Sequence, residues 1–293
     1  MRLIYNSNYP EIDENISDCQ MGARKGKNCK FNLFIINGII HDVCKSKRKK
    51  PVTLGIYDYE QMFDSVNLKK SISDIYDAGL KNENLALLYE GNRIVSMAVN
   101  TPSGTSERQN IQNSVLQGDT WGPLLSSVQV DTIGQACVQA EHGYKYKDTL
   151  MVSLLGMVDD LISVTEAGYQ AQQMNAIINI KTAEKGLRFG VTKCKSMLVG
   201  KDTENILHSD LKVDEWSVSH QTDSVTGEDI LTEKYEGPVA IEETTEQKYL
   251  GFVLSSKGEN MVNINFKESL EGYSINLMTL TCKSIILSVP WCS

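Results

Sequence analysis

Histidine is scarce in this chain of 293 residues, with four in all, and the seven cysteines form no C-x-x-C pair. Cys19, Cys29, Cys44, Cys137, Cys194, Cys282 and Cys292 are scattered and odd in number. That spacing excludes a zinc ribbon and a disulfide framework and fits a reducing compartment. The first nine residues lack the apolar run of a signal peptide. Residues 273–293 are charged only at Lys283, yet they hold too much Ser, Thr and Asn to read as a membrane span. No internal repeat is evident. These absences lead to the expectation of an intracellular chain, nuclear or cytoplasmic, with no membrane partner. Hydrophobic residues make up 41% of it, enough to fill the core of one large or two modest domains.

Positive charge is also short, for the net charge is −8. Its distribution says more than its sum. Residues 22–50 hold Arg24, Lys25, Lys27, Lys30, Lys45, Lys47, Arg48, Lys49 and Lys50 against Asp42 as the one acid. Residues 202–246 hold thirteen acids against Lys212 and Lys234. One end can meet phosphates, whereas the other reads as a solvated, irregular, loop-rich face. A soluble surface, or a nuclear-import signal over 45–50, is the alternative for the basic runs.

The residues that are present include two runs with carboxylates at the edge of hydrophobic strands. Tyr57-Asp58-Tyr59-Glu60-Gln61-Met62-Phe63-Asp64-Ser65 is one, and Gly156-Met157-Val158-Asp159-Asp160-Leu161 is the other. The second reads as a hairpin with two acids at its tip. Carboxylates brought side by side must lose charge, move apart or hold cations, and oxygen ligands of this kind suit Mg²⁺. An exposed turn is the alternative for Asp159-Asp160, since Asp favours turns.

Around these runs the pattern alternates strand and helix. Residues 31–43 read as a buried helix broken by Pro51, and 52–59 as a strand carrying Asp58 near its end. Helices are expected over 65–78, closed by Gly79, and over 83–89, closed by Gly91. Residues 94–99 and 110–115 suggest a hairpin about Pro102-Ser103-Gly104. A long helix is expected from Asp119 onward, with Gly122-Pro123 in its first turn, where proline is tolerated. After the acidic hairpin come a helix over 166–185 ending at Gly186, a strand over 196–199 and a short strand over 248–254. The order is α+β, in the split βαβ pattern.

In order and spacing the motifs resemble the reverse transcriptase domain of a non-LTR retrotransposon, of the kind found in invertebrate genomes, over roughly residues 18–255. Asp58 with Met62-Phe63-Asp64-Ser65 resembles its first palm motif. Gln117-Gly118-Asp119-Thr120-Trp121-Gly122-Pro123-Leu124 resembles the second, and Met157-Val158-Asp159-Asp160 the third. Residues 186–195, with Lys193, resemble the fourth, and Tyr249-Leu250-Gly251 the fifth.

The resemblance implies a right-hand polymerase palm built on a split βαβ, ferredoxin-like sheet, with partial fingers and a truncated thumb. It divides the chain into partial fingers (1–50), palm with embedded fingers helices (51–201), an acidic polar insertion or loop (202–246), and palm end with truncated thumb (247–293). It implies RNA-directed DNA polymerisation with two Mg²⁺ (or Mn²⁺) ions, an RNA template, a DNA primer and deoxynucleoside triphosphates. The family's first fingers strands should precede Cys19 and its thumb should follow Gly251, so a fragment or decayed copy of a larger polyprotein is expected. An inactive relic and a non-catalytic nucleic-acid-binding module are the rival readings.

Carried over residue by residue, Asp58, Asp159 and Asp160 hold the metals, and Lys193 protonates or neutralises departing pyrophosphate. Gln61 and Met62 offer backbone N–H groups to the triphosphate, and Phe63 stands as a gate beneath the sugar. Gln117 and Gly118 lie against the template base and nucleotide. Arg24, Lys25 and Lys27 face phosphates, and Tyr249, Leu250 and Gly251 grip the primer. Plainer alternatives stand beside these: core packing for Phe63, a helix cap for Asp64 and for Gln117-Gly118-Asp119, solvation for Lys193, and a buried strand end for Tyr249. Two residues depart from the family pattern. Met157 stands where an aromatic is common, and Gly190 where an Asn is.

Overall fold

The structure, a computed structural model, describes residues 2–45, 50–93, 95–102, 104–111, 120–146, 150–166, 168–200, 211–222 and 229–256. Gln117 and Gly118, and the chain beyond residue 256, lie outside the described residues.

A helix the sequence pattern did not suggest opens the chain, α1 (Arg2–Asn15). Its Tyr5 stacks on Tyr9 and meets Trp121 edge-on, at 5.3 and 5.2 Å between ring centroids. Then follow α2 (Cys29–Lys45) and, past Pro51, β1 (Val52–Tyr57). The helix expected over 65–78 is two pieces, α3 (Met62–Ser65) and α4 (Leu68–Asp77). Asn67, not Asp64, caps the second piece, its side chain accepting from the Lys70 N–H. The next helix, α5 (Asn82–Arg93), runs through Gly91 rather than stopping there. Buried Leu88 and Asn92 hold that turn, and their packing offsets the roughly 1 kcal/mol that glycine costs a helix. The expected hairpin comprises β2 (Val95–Met97), β3 (Asn100–Thr101), β4 (Gly104–Thr105) and β5 (Gln109–Ile111).

Next come α6 (Gly122–Gln139), with proline in its first turn, and the ribbon of β6 (Tyr144–Tyr146) and β7 (Leu150–Val152). The acidic hairpin is β8 (Leu154–Met157) and β9 (Asp160–Thr165). Then α7 (Gly168–Lys185) ends on Gly186, whose φ of 73° lets Leu187 and Gly186 donate back to Thr182 and Ala183. A 3₁₀ turn (Val191–Lys193) leads into β10 (Lys195–Val199).

Residues 211–222 and 229–240 correct the expectation of an irregular stretch. They form a long antiparallel ribbon, β11 (Lys212–Thr222) against β12 (Asp229–Ala240), with a bulge at Glu215/Trp216. Its root is tied down: Asn175 and Asn179 both donate to the Lys212 carbonyl, and Leu211 and Val213 are buried. Farther out, Arg188 pairs with Glu233 and stacks over Trp216. Short strands β13 (Glu242–Glu243), β14 (Glu246–Tyr249) and β15 (Phe252–Ser255) follow.

The central sheet runs β13-β10-β1-β9-β8. Its β10-β1-β9-β8 part is antiparallel throughout, with the two strand-helix-strand halves interleaved as in a split βαβ. Side chains alternate across it. Leu54, Ile56, Ile162 and Val164 pack with α2 and Tyr249 on one face. Tyr57 and Leu161 pack with α6 and α7 on the other. Both faces are thus covered, and every residue of β1 is buried.

Close packing between the layers is testable at Gly134 on α6. A methyl group there would meet Cys19 Sγ at 2.3 Å and Leu154 Cδ2 at 3.3 Å. The sulfur is held by Ser17 Oγ at 2.6 Å and cannot easily give way. Alanine's helix preference, about 1 kcal/mol, competes with roughly 1–3 kcal/mol of overpacking. Gly134→Ala is expected to lower stability in urea denaturation despite the better helix former.

Candidate active site

The pairing of β1 with β9 runs Gly55 to Ser163, Ile56 to Ile162 and Tyr57 to Leu161. One step on from that last pair stand Asp58 and Asp160, near enough for the charge of Asp58 to act on Asp160. Tyr57 and Tyr59 send their rings into the helix-side core, where they are 1% and 3% exposed. The tyrosine hydroxyls end on Asn175 and Thr182 of α7. Alternation throws Asp58 to the opposite side, the face that carries Tyr249.

Past β1 the chain is held by the segment after α7. Glu60 donates to the Arg188 carbonyl and Gly190 to that of Asp58, both at 2.9 Å. The Tyr59 and Phe189 rings stack at 5.1 Å. This brings Lys193 Nζ to 2.9 Å from Asp58 Oδ1. Lys193 is mostly exposed, and its pKa is raised, chiefly by the hydrogen bond to Asp58 and then by that carboxylate's charge.

The other two acids come from the tip of the β8–β9 hairpin. Met157 pairs with Asp160, leaving Val158 and Asp159 as a two-residue turn. Val158 has φ 60°. Glycine normally takes such a position, and an L residue pays about 1–2 kcal/mol there, most plainly a β-branched one. Burial raises the pKa of Asp159, and the charge of Asp58 adds to it. Asp160 is pushed up to about 6, first by burial and then by Asp159 and Asp58, with Lys193 opposing. The three carboxylates therefore feel one another across a hundred residues of chain.

Among the described residues, no three His, Cys, Asp or Glu side chains are gathered closely enough to ligate one ion. Asp58 is instead turned onto Lys193. As a donor set the trio fits hard divalent cations, since repelling, part-buried carboxylates are the groups such ions stabilise.

The remaining sequence-derived residues divide. Phe63 is part-exposed and stands outside both core clusters, whereas its neighbour Met62 is buried. Gln61 is exposed, with φ 45°, at the start of α3. Lys25 is exposed, and Lys27 lies 3.6 Å from Asp18. Arg24 does not reach outward, which corrects the expectation of a phosphate contact. Its side chain is 8% exposed, and its guanidinium serves Asp13 together with the Ser17 and Gln20 carbonyls. A buried guanidinium must be satisfied internally, and it ties α1 to the following loop. Tyr249 is buried and shifted upward by burial and by the charge of Asp160, while Leu250 and Gly251, both at positive φ, turn the β14–β15 hairpin. The motif reading passed over Gln20 and Asn32, which bond to the acidic hairpin at Val158 and Gly156. The only hint in the sequence was that polar residues flank an apolar stretch.

The family model described as reverse transcriptase (RNA-dependent DNA polymerase) matches residues 3–254. No curated protein matches significantly. Among solved structures, the chain is similar to apo telomerase from Candida tropicalis truncated from its C-terminal domain. That likeness has TM-score 0.54 and 10% identity and covers 88% of this chain and 44% of that one. Candida tropicalis telomerase in complex with a fragment of telomeric RNA gives 0.53 at 11% identity, covering 87% and 36%. The corresponding Candida albicans complex gives 0.50 at 10%, covering 72% and 36%. The chain thus spans less than half the length of these structures, and at such identity the likeness concerns the fold. It agrees with the α+β palm expected from the motif order.

The upward shift of Asp160 has a sign that can be checked. A carboxyl whose pKa rises from 3.8 to about 6 on folding is bound by its proton more tightly in the native state. Stability then falls as pH rises through that window, and above it the charged group is a net cost. In the presence of a chelator, Asp160→Asn is expected to be more stable than the parent at pH 7.5. Discounted for partial solvent access, the gain should be on the order of 1–2 kcal/mol, vanishing only below about pH 3 in urea denaturation.

Proposed function

The chain belongs to the reverse transcriptase family, and from that premise we propose that it is an RNA-directed DNA polymerase domain of the non-LTR retrotransposon type. The single observation that carries this reading is the β1–β9 register, whose last pair, Tyr57 with Leu161, is followed directly by Asp58 on one strand and preceded by Asp160 on the other. A pure binding module has no use for three repelling carboxylates part-buried together.

In this reading Asp58, Asp159 and Asp160 would hold two divalent ions, Mg²⁺ or Mn²⁺. When bound, such ions stabilise the attacking and leaving oxygens of an in-line phosphoryl displacement. Lys193 keeps its proton well above neutral pH while it faces Asp58, so it can hand a proton to departing pyrophosphate or neutralise it. Phe63, free of both cores, is placed to press on the sugar and reject a 2′-hydroxyl. The backbone of Gln61 and Met62 meets the triphosphate, and Gln117 and Gly118 the templating pair. Lys25 and Lys27 meet phosphates of an RNA template, and the Tyr249-Leu250-Gly251 turn supports a DNA primer. The division into fingers (1–50), palm (51–201), acidic insertion (202–246) and palm end with thumb (247–293) belongs to the same proposal, as does an intracellular site of action in the nucleus or cytoplasm.

A second reading, a folded but inactive relic, is favoured by one observation. Lys193 holds the Asp58 carboxylate that the reaction needs.

Primer extension on poly(rA)/oligo(dT) with deoxythymidine triphosphate and Mn²⁺ decides between the two. Extension is expected, and Asp159→Asn should abolish it by at least about a thousand-fold, the scale of several kcal/mol of lost charge stabilisation. Its unfolding curve should keep the same cooperativity. Absence of product from the parent would leave the relic or the binding module, and a salt-dependent mobility shift on template-primer would then favour the binding module. In the same assay Phe63→Ala is expected to narrow the preference for deoxy- over ribonucleotide by about tenfold or more.

A further inference from the structure

We propose that Gln20 is the positioning residue that aims the acidic turn, gripping Val158 by both of its backbone groups. The inference rests on the reading of Asp159 and Asp160 as the reacting centre. Gln20 is 1% exposed and lies 138 residues away from Val158 in the chain. Its Oε1 accepts from the Val158 N–H at 3.0 Å and from the Gly22 N–H at 2.7 Å. Its Nε2 donates to the Val158 carbonyl at 3.2 Å. One side-chain amide therefore closes a ring on the residue whose backbone is in the left-handed region, immediately before Asp159.

The neighbouring backbone shows that this is a built clamp. Residues 19–21 lie along the free edge of β8, where Gly156 donates to the Cys19 carbonyl at 2.6 Å and accepts from the Met21 N–H at 2.9 Å. Asn32 Nδ2 donates to the same Gly156 carbonyl. Gly22 completes it: a Cβ there would meet Val158 N at 2.4 Å and Val158 Cγ2 at 2.6 Å, so no side chain fits between clamp and turn. Left unheld, a β-branched residue abandons positive φ. The carboxylate that follows would then swing with it. Gln20 acts on the reaction through Val158 and touches no substrate.

The test uses the full chain with Gln20→Met, which keeps the volume and removes all three bonds, and the double variant Gln20→Met/Val158→Gly. Hydrogen exchange of the Val158 amide reads the clamp directly, and primer extension with deoxythymidine triphosphate reads its consequence. Gln20→Met should speed exchange at Val158 by about tenfold or more while β1 and β9 stay protected. It should lower kcat by roughly a hundred-fold with KM little changed, the signature of a misplaced group rather than lost binding. Glycine at 158 accepts φ 60° without help, so the double variant should recover about tenfold of that loss. A structural plug would show no such rescue.

Unchanged exchange at Val158, or faster exchange with unchanged kcat, would overturn the proposal. Should Gln20→Met lose protection throughout, Gln20→Asn carries the same comparison, since it keeps an uncharged amide but is one methylene too short to hold the turn. A parent chain that extends no primer overturns the polymerase reading instead, and the exchange comparison then decides by itself whether Gln20 holds the turn.

Discussion

Antiparallel pairing of β1 with β9 is the constraint from which the candidate site follows. In such a pair, opposite residues share a face, and a slip of one residue would reverse every side chain. Here the slip is forbidden from both sides. Ile56 opposite Ile162, and Leu54 opposite Val164, must meet the α2 layer. Tyr57 opposite Leu161 must meet the layer of α6 and α7. With apolar pairs pinning both faces, the first residues beyond the buried ladder have no freedom left, and those residues are Asp58 and Asp160. The hydrophobic core thus sets where the carboxylates stand, although none of the apolar pairs of this ladder reaches the site.

Electrostatics then works against the packing that created it. Burial and mutual charge drive Asp159 and Asp160 toward the protonated form, and Lys193 relieves part of the strain by holding Asp58. One ammonium thereby holds a carboxylate here, and in the proposed reading it would turn to phosphate oxygens in a complex. Its tether is the short stretch from Arg188 to Gly190, which runs beside Asp58 and whose Arg188 also grips the β11–β12 ribbon through Glu233 and Trp216. Ribbon and site are consequently joined through Arg188, and again through Asn175, which accepts from the Tyr57 hydroxyl and donates to the Lys212 carbonyl.

Much of this was legible beforehand where pattern and packing agree. The Pro51 break, the strand that ends one residue before Asp58, the proline-started helix at Gly122 and the helix stop at Gly186 all rest on local backbone chemistry. The ribbon escaped notice because thirteen acids over 202–246 hid a period-two pattern, Trp216 and Val218 alternating with Ser217 and Ser219. Such a ribbon is decided by its root, where Asn175 and Asn179 hold Lys212, and by a cross-strand aromatic pair, Trp216 on Tyr235. Arg24 was misjudged for the opposite reason. A basic run advertises contact with phosphate, but only the fold reveals that Asp13 lies within 2.8 Å.

Local sequence by itself determined the kinds of element, the motif order and the identity of the carboxylates, because periodicity, proline and glycine act over a few residues. Tertiary structure alone decided which side chains point at one another. The grip of Gln20 on Val158, the seat of Lys193 on Asp58 and the internal use of Arg24 each join segments with no shared local pattern. Their energies depend on burial and on distances that exist only once both layers have closed over the sheet.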